Sequence, residues 1–346
     1  MTTVSNATKK KAKLIAYTRI FIPRHLTLPY PLDRSTAGPG SGSLSIALTF
    51  DNKNIKLAVS QDQNESFSLE KGNGHFHILK GENIFLENVE IKPILFHAPG
   101  QAFINIENRC IYNCAFCNLA DTEKGFLQSY DEQRFVDLIL KTAHRPDFKA
   151  VALTSGVYPN TNTITHKMCY IVKHIRKKLA DIPIGIEPCI SNKKEIVSLK
   201  RAGADEIKIN LQIPDPHLFQ KICPHLDYDH IVTMLDEAVE IFGKGNVASN
   251  ILFGLGEDDT AVVQTVEKLA EIGVVSTLRK VRRNKFNKRK IEEVLTSDIP
   301  KTSAERIITL ALQQKKILKK NGLTTKTFET MCHKCGCCDI VPFWDV

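Results

Sequence analysis

Hydrophobic and polar positions fall into two regimes along this chain. In residues 43 to 95 the runs SLSIALTF, NIKLAVS, ESFSLEK and HFHILKG come close to strict alternation, with turn formers between them. Alternation with period two marks half-buried strands, so the stretch predicts a small antiparallel sheet. Ahead of it, residues 1 to about 40 contain PRHLTLPYPLDRSTAGPGSGS, where proline and glycine are too frequent for a regular element. Near Pro99 the pattern changes, and strand-like runs alternate with helix-like ones. FINIE precedes a helix over 131–143, whose apolar face is Phe135, Val136, Leu138, Ile139 and Leu140. AVALTSG precedes TITHKMCYIVKHIRKKLA, and IPIGIEP precedes SNKKEIVSLKRAG, with Ser191 as N-cap and Gly203 as stop. DEIKINLQI, NVASNILFGLGE and VVSTLRKV each lead into a further helix, the last ending at Gly322.

Six βα units in series imply an α/β fold with a parallel sheet, either doubly wound and open or a partial (β/α)6 barrel. In such barrels chemistry sits on loops at the C-terminal ends of the strands. The boundaries that follow are a β-rich extension over 1–95, an α/β core over 96–322 and a tail over 323–346.

Composition adds little to the fold: 42% apolar and 25% charged residues in 346 are ordinary for a globular chain. Charge adds more. The net charge is +9, concentrated in KKKAK near the start and in RKVRRNKFNKRK from Arg279 to Lys290. A basic run is by default a solvated face; the functional alternative is docking an acidic partner or an anionic small molecule. Nucleic acid is a less favoured partner. No run approaches the ~20 apolar residues of a membrane span, and the N-terminus has no apolar signal region. The expected location is the cytoplasm, where thiols stay reduced. Seven of the ten cysteines nevertheless fall in two tight clusters, which points to metal rather than disulfides.

The first cluster, NRCIYNCAFCN, follows the strand FINIE and spaces Cys110, Cys114 and Cys117 as C-x3-C-x2-C. Three thiolates at this spacing can hold three corners of a cubane iron–sulfur cluster and leave the fourth iron open for a substrate or cosubstrate. A zinc knuckle is the alternative, and it would want a fourth ligand nearby. With Phe116 before the third cysteine, CIYNCAFC resembles the signature of the radical S-adenosylmethionine (SAM) superfamily, and the resemblance extends over roughly residues 97 to 320. It implies a partial (β/α)6 TIM-type barrel, a 4Fe–4S cluster on Cys110, Cys114 and Cys117, and SAM bound at the open iron. It also implies a ferredoxin- or flavodoxin-type electron donor. The implied chemistry is reductive cleavage of SAM to a 5′-deoxyadenosyl radical that abstracts hydrogen from an unactivated carbon, with the protein orienting the cofactor.

Within the superfamily the chain is most similar to biotin synthase. NILFGLGE resembles the family's fifth-strand segment, implying that Gly254 and Gly256 admit the adenine end of SAM. INLQ resembles a fourth-strand N-L-D segment, implying Asn210 and Gln212 near ribose and substrate, although Gln212 stands where the family has aspartate. IEPC resembles a third-strand E-x-C and implies Glu187 near SAM. LTSG stands where many members have G-G-E, which leaves Gly156 to act through its backbone.

The second cluster is C-x2-C-x-C-C, formed by Cys332, Cys335, Cys337 and Cys338 in MCHKCGCCDIVPFWDV. Its density suggests an auxiliary iron–sulfur cluster; structural zinc and a redox-active pair are the alternatives. His333 reads equally as a ligand or an exposed side chain, and VPFW as a cover across the barrel mouth. Cys169 reads as core, Cys189 as a candidate site residue, Cys223 as without a role, and His217, His225 and His230 as surface histidines.

An auxiliary cluster on a biotin-synthase-like barrel implies sulfur insertion. The tail also resembles that of the archaeal two-protein lipoyl synthase, which implies an octanoyl chain on an acidic carrier protein and a partner radical SAM subunit. Rearrangement, cofactor maturation or peptide modification is the second expectation, and a non-catalytic iron–sulfur or zinc scaffold the third.

Overall fold

The computed structural model describes residues 4–34, 42–119, 131–295 and 299–346. The first element is a helix that the sequence pattern did not announce, α1 (Asn6–Tyr17), capped by the Ser5 side chain on the Thr8 amide. Its buried stripe of Thr8, Lys11, Ala12, Leu14 and Ile15 includes a lysine, which breaks the apolar periodicity. The strands β1 (Arg19–Phe21), β2 (Asp33–Arg34), β3 (Leu44–Phe50), β4 (Lys53–Ser60), β5 (Phe67–Gly72), β6 (His75–Lys80) and β7 (Asn83–Lys92) follow. They lie in the order β2-β3-β4-β1-β5-β6-β7, and a further pairing of β3 with β7 closes a ring. The expected antiparallel sheet is therefore mixed, because β1, from the stretch read as irregular, lies parallel between β4 and β5.

The second sheet contains β8 (Phe96–Ala98), β9 (Gln101–Asn105), β10 (Ala150–Thr154), β11 (Ile184–Glu187), β12 (Glu206–Lys208), β13 (Val247–Phe253) and β14 (Val275–Lys280). From β9 to β14 the strands pair in chain order, all parallel, and β8 folds back antiparallel on β9. Among the described residues no pairing joins β14 back to β9. The helices α2 (Glu132–Thr142), α3 (Thr161–Lys178), α4 (Lys193–Ala202), α5 (Pro216–Ile222), α6 (Tyr228–Phe242) and α7 (Asp259–Glu271) alternate with the strands. After β14 come α8 (Lys288–Val294), α9 (Ala304–Lys320) and the short α10 (Met331–Cys335). Strands covered on both faces need continuous apolar sequence, and β13 is buried along its whole length. Two details of capping follow from polar chemistry. Gly203 closes α4 at φ 108°, as expected, but the N-cap is Asn192 rather than Ser191, whose hydroxyl instead meets Thr161. Among the described residues no helix is long and apolar enough to cross a membrane.

The tail enters the interior of this sheet from the N-terminal ends of its strands. Glu206, which opens β12, accepts hydrogen bonds from the amides of Glu329 (2.6 Å) and Thr330 (3.2 Å) and from the Thr330 hydroxyl. Gln101, which opens β9, accepts from the Met331 amide (2.6 Å) and donates to its carbonyl (3.1 Å). Gly185 is glycine because a β-carbon there would overlap the Thr330 hydroxyl. Met331 packs on Ala98, Phe103 and Ala152. The other side of the tail is held by the N-terminal region: Lys11, 1% exposed, pairs with Asp345, 3% exposed, at 2.6 Å and donates to the Gly336 carbonyl at 2.7 Å. VPFW does not lie across the mouth. The Phe343 ring sits under Lys315 of α9 and Trp344 is half-exposed beside Lys326, because the tail is anchored at the opposite end of the strands.

Candidate active site

The chain leaves β9 at Asn105 and turns directly into the first cysteine loop. Glu107 organises the turn: its carboxylate accepts from the Arg109 guanidinium (2.8 Å at both Nε and Nη2) and from the Arg109 amide (3.1 Å). Burial alone would raise the Glu107 pKa, but these bonds and the nearby Lys167 hold it below its ordinary value. The Gly156 amide donates to the Glu107 carbonyl at 2.8 Å, and the Ile111 amide to the Val157 carbonyl at 2.9 Å. On the other side Asn287 donates to the Phe116 carbonyl (2.9 Å) and Lys290 to Asn113 (3.3 Å).

Cys110, Cys114 and Cys117 line one cavity of about 350 Å³ at the C-terminal ends of the parallel strands, together with Phe116, Gly156, Glu187, Asn210 and Gln212. Burial pushes the Cys117 thiol up to about 12. A hydrogen bond with Cys223, and then burial, raises Cys114 well above its ordinary value. Lone thiolates are therefore unfavourable here, and a cationic iron centre reverses that preference. Among the described residues no three His, Cys, Asp or Glu side chains converge closely enough to hold a single metal ion. Three thiols lining one cavity are the donor set required by a cluster that takes its thiolates at separate corners.

Glu187, Asn210 and Asn250 form a ridge along the wall. Asn210 donates to Glu187 Oε1 at 2.6 Å and accepts the Asn250 amide at 3.1 Å. Gln212, at φ 68°, donates its amide to the Asn250 carbonyl at 2.9 Å. Gly254 and Gly256 do not line the cavity. They shape a turn at φ 93° and 105° that closes on Glu257, whose carboxylate accepts the amides of Gly254 (2.7 Å) and Leu255 (2.8 Å) and pairs with Arg306 at 2.7 Å. Cys189 also faces the cavity, and burial followed by the three loop thiols raises its pKa strongly. Cys169 is buried on α3, as expected of a core residue. His217 and His225 are exposed, as expected of surface histidines, and His225 lines the cavity together with the half-buried His230.

The floor of the same cavity carries Cys332 and Cys338, and all four tail cysteines surround a smaller adjoining void with Lys56, His97 and Arg279. That void measures about 10 Å³, so a cubane there requires the thiols to spread toward the larger cavity. The loop is held from every side. The Lys56 amide donates to the Cys337 carbonyl (2.8 Å), Asn54 to the Cys335 carbonyl (3.0 Å), and Arg279 makes a two-pronged bond to Asp339 (3.1 and 2.6 Å). Lys208 donates to Cys332 Sγ at 3.1 Å and lies 3.5 Å from Glu187. A hydrogen bond from Cys337 pulls Cys335 down to about 7 and drives Cys337 itself well up. His333 is buried rather than exposed: its Nε2 lies 3.2 Å from the Thr277 hydroxyl, and burial lowers its pKa to about 4. Lys56, His97 and Lys208 escaped the sequence reading because no spacing links them to the cysteines. Burial, reinforced by Lys56, pushes the His97 pKa well below its ordinary value.

Residues 104–269 match the Radical SAM superfamily. The lipoyl synthase of Buchnera aphidicola is 24% identical over 185 residues, which cover 53% of this chain and 56% of the relative. The biotin synthase of Leptospira biflexa is 25% identical over 220 residues, 58% of either chain. The chain thus spans less than three-fifths of these curated relatives. Among solved structures, the FeFe-hydrogenase maturase HydG from Carboxydothermus hydrogenoformans superposes with a TM-score of 0.52 at 17% identity, covering 64% of this chain and 52% of that one. This likeness shows the fold alone, a TIM-barrel-like arrangement of parallel strands and alternating helices.

Proposed function

We propose that this chain, whose residues 104–269 match the Radical SAM superfamily, is a radical SAM enzyme that inserts sulfur into an unactivated carbon chain. The observation that carries this reading is the single cavity with Cys110, Cys114 and Cys117 on its wall and Cys332 and Cys338 on its floor. A substrate carbon bound in that cavity would share it with both thiol sets.

Cys110, Cys114 and Cys117 would hold the SAM-binding 4Fe–4S cluster, and the tail cysteines a second iron–sulfur cluster. When bound, the first cluster and SAM supply a 5′-deoxyadenosyl radical for hydrogen abstraction. The chain itself provides the rest. Glu187, Asn210 and Gln212 orient polar groups of SAM along the wall, and Gly156 lets the cysteine loop lie flat on β10. Gly254 and Gly256 shape the turn after β13 that closes on Glu257, outside the cavity lining. Tail residues 329–333 close the interior from below and keep water out. Lys56, Lys208, Arg279 and Arg282 against Glu187 and Asp339 leave an excess of buried positive charge, which complements a polyanionic metal–thiolate centre.

The basic run divides in two. Arg279, Lys280 and Arg282 face the cavity, whereas Lys285, Lys288, Arg289 and Lys290 lie outside it. The outer part would dock an acidic carrier protein bearing an octanoyl-lysine, with a ferredoxin- or flavodoxin-type protein as electron donor and a partner radical SAM subunit sharing the work. The narrow void among the tail cysteines favours one second reading: a tail centre that carries electrons or stiffens the fold while a rearrangement or maturation proceeds above it.

Anaerobic reconstitution followed by iron, sulfide and zinc counts separates the two. The expected result is iron and sulfide for two cubanes, and a sulfur-bearing product from an octanoylated carrier peptide in mass spectra. Zinc in the tail, or SAM cleavage that leaves the octanoyl chain without sulfur, would return the second reading.

A further inference from the structure

Lys208 is the last residue of β12 and points inward at 1% exposure, level with the tail cysteines. An ammonium group inside a barrel is costly unless an anion stands against it. Two acceptors lie close. Glu187 Oε1 is 3.5 Å away, but that oxygen already takes the Asn210 amide at 2.6 Å. Cys332 Sγ is nearer to the lysine, at 3.1 Å. A neutral thiol is a weak acceptor and does little for a buried cation, whereas a metal-bound thiolate carries the charge that the lysine lacks. The lysine comes from the sheet and the cysteine from the tail, so the bond also fixes where the tail stops inside the interior.

We infer that Lys208 is a positioning residue of the tail centre: it donates an N–H···S hydrogen bond to the Cys332 thiolate, fixing that sulfur on the cavity floor and balancing the charge of the cluster it ligates. The inference rests on the reading of the tail cysteines as iron–sulfur ligands. Hydrogen bonds to ligand sulfurs stabilise the more negative, reduced state of a cluster and raise its reduction potential. Lys208 also touches Glu187, so the same ammonium group links the tail sulfur to the Glu187–Asn210–Asn250 ridge above it.

The test uses the full chain with Cys110, Cys114 and Cys117 all changed to Ala, so that only the tail centre can form. Iron and sulfide counts and a potentiometric titration followed by electron paramagnetic resonance are compared for this parent, for added Lys208→Arg and for added Lys208→Met. Expected is a more negative midpoint potential in Lys208→Met, largely restored in Lys208→Arg. Loss of tail iron in Lys208→Met with rescue by Lys208→Arg supports the inference equally. A Lys208→Met protein with full iron and an unshifted potential overturns it. A parent that binds no iron–sulfur centre sinks the underlying reading of the tail, and the inference with it.

Discussion

A side chain at position 156 has nowhere to go: its β-carbon would overlap the Arg109 carbonyl oxygen and crowd a methyl of Leu119. Both neighbours belong to the cysteine loop, so Gly156→Ala must push that loop off β10. Overpacking of this kind costs about 1–3 kcal/mol, and backbone contact places this case toward the upper end. The expected outcome is a lower melting temperature and weaker iron retention at the first site, checked by thermal unfolding and an iron count. Individual residues were unevenly legible. Cys110, Cys114 and Cys117 were readable as a candidate site because one short loop holds all three, and the structure gathers them on one cavity. Glu187 and Asn210 were readable only through resemblance, and the structure brings them into hydrogen-bond contact. Lys56, His97 and Lys208 were not readable. What makes them part of the site is burial against a tail more than a hundred positions away, and no local pattern encodes that.

At the scale of elements, the βα series stood out because parallel strands buried on both faces need apolar runs, and amphipathic helices between them have a different period. The helix α1 and strand β1 were missed for opposite reasons. Lys11 interrupts the apolar stripe of α1, and β1 has three residues, too few for alternation to register. The path of the tail was also hidden. The spacing of Cys332, Cys335, Cys337 and Cys338 suggests a metal site without saying where it lies, and it is Gly185, Glu206 and Gln101 that show the tail inside the sheet. Gly185→Ala is therefore expected to expel residues 329–333 by overlap with Thr330, while the first cysteine loop, at the other end of the strands, keeps its iron. Limited proteolysis of the tail together with an iron count checks this; a variant with a protected tail and undiminished iron would show that the contact is dispensable.

At the scale of the whole molecule, the first helix packs on the tail that lines the cavity. The buried Lys11–Asp345 pair and the Lys11 bond to Gly336 tie the first helix to the middle of the last cysteine motif, while Gln101, Glu206 and Lys208 tie that motif to the parallel sheet. Removing one partner of such a buried pair leaves the other uncompensated, so these ties resist being loosened one at a time. The N-terminal ring, the sheet and the tail thus act together to present two thiol sets to a common space, and the proposed function assigns radical formation to Cys110, Cys114 and Cys117. The most direct measurement is 5′-deoxyadenosine released from SAM by the anaerobically reconstituted chain under a strong reductant. The account expects its formation by the unaltered protein and by Cys332→Ala, and none by Cys117→Ala. Iron-loaded protein that leaves SAM intact, or a Cys117→Ala variant that cleaves it equally well, would contradict the account.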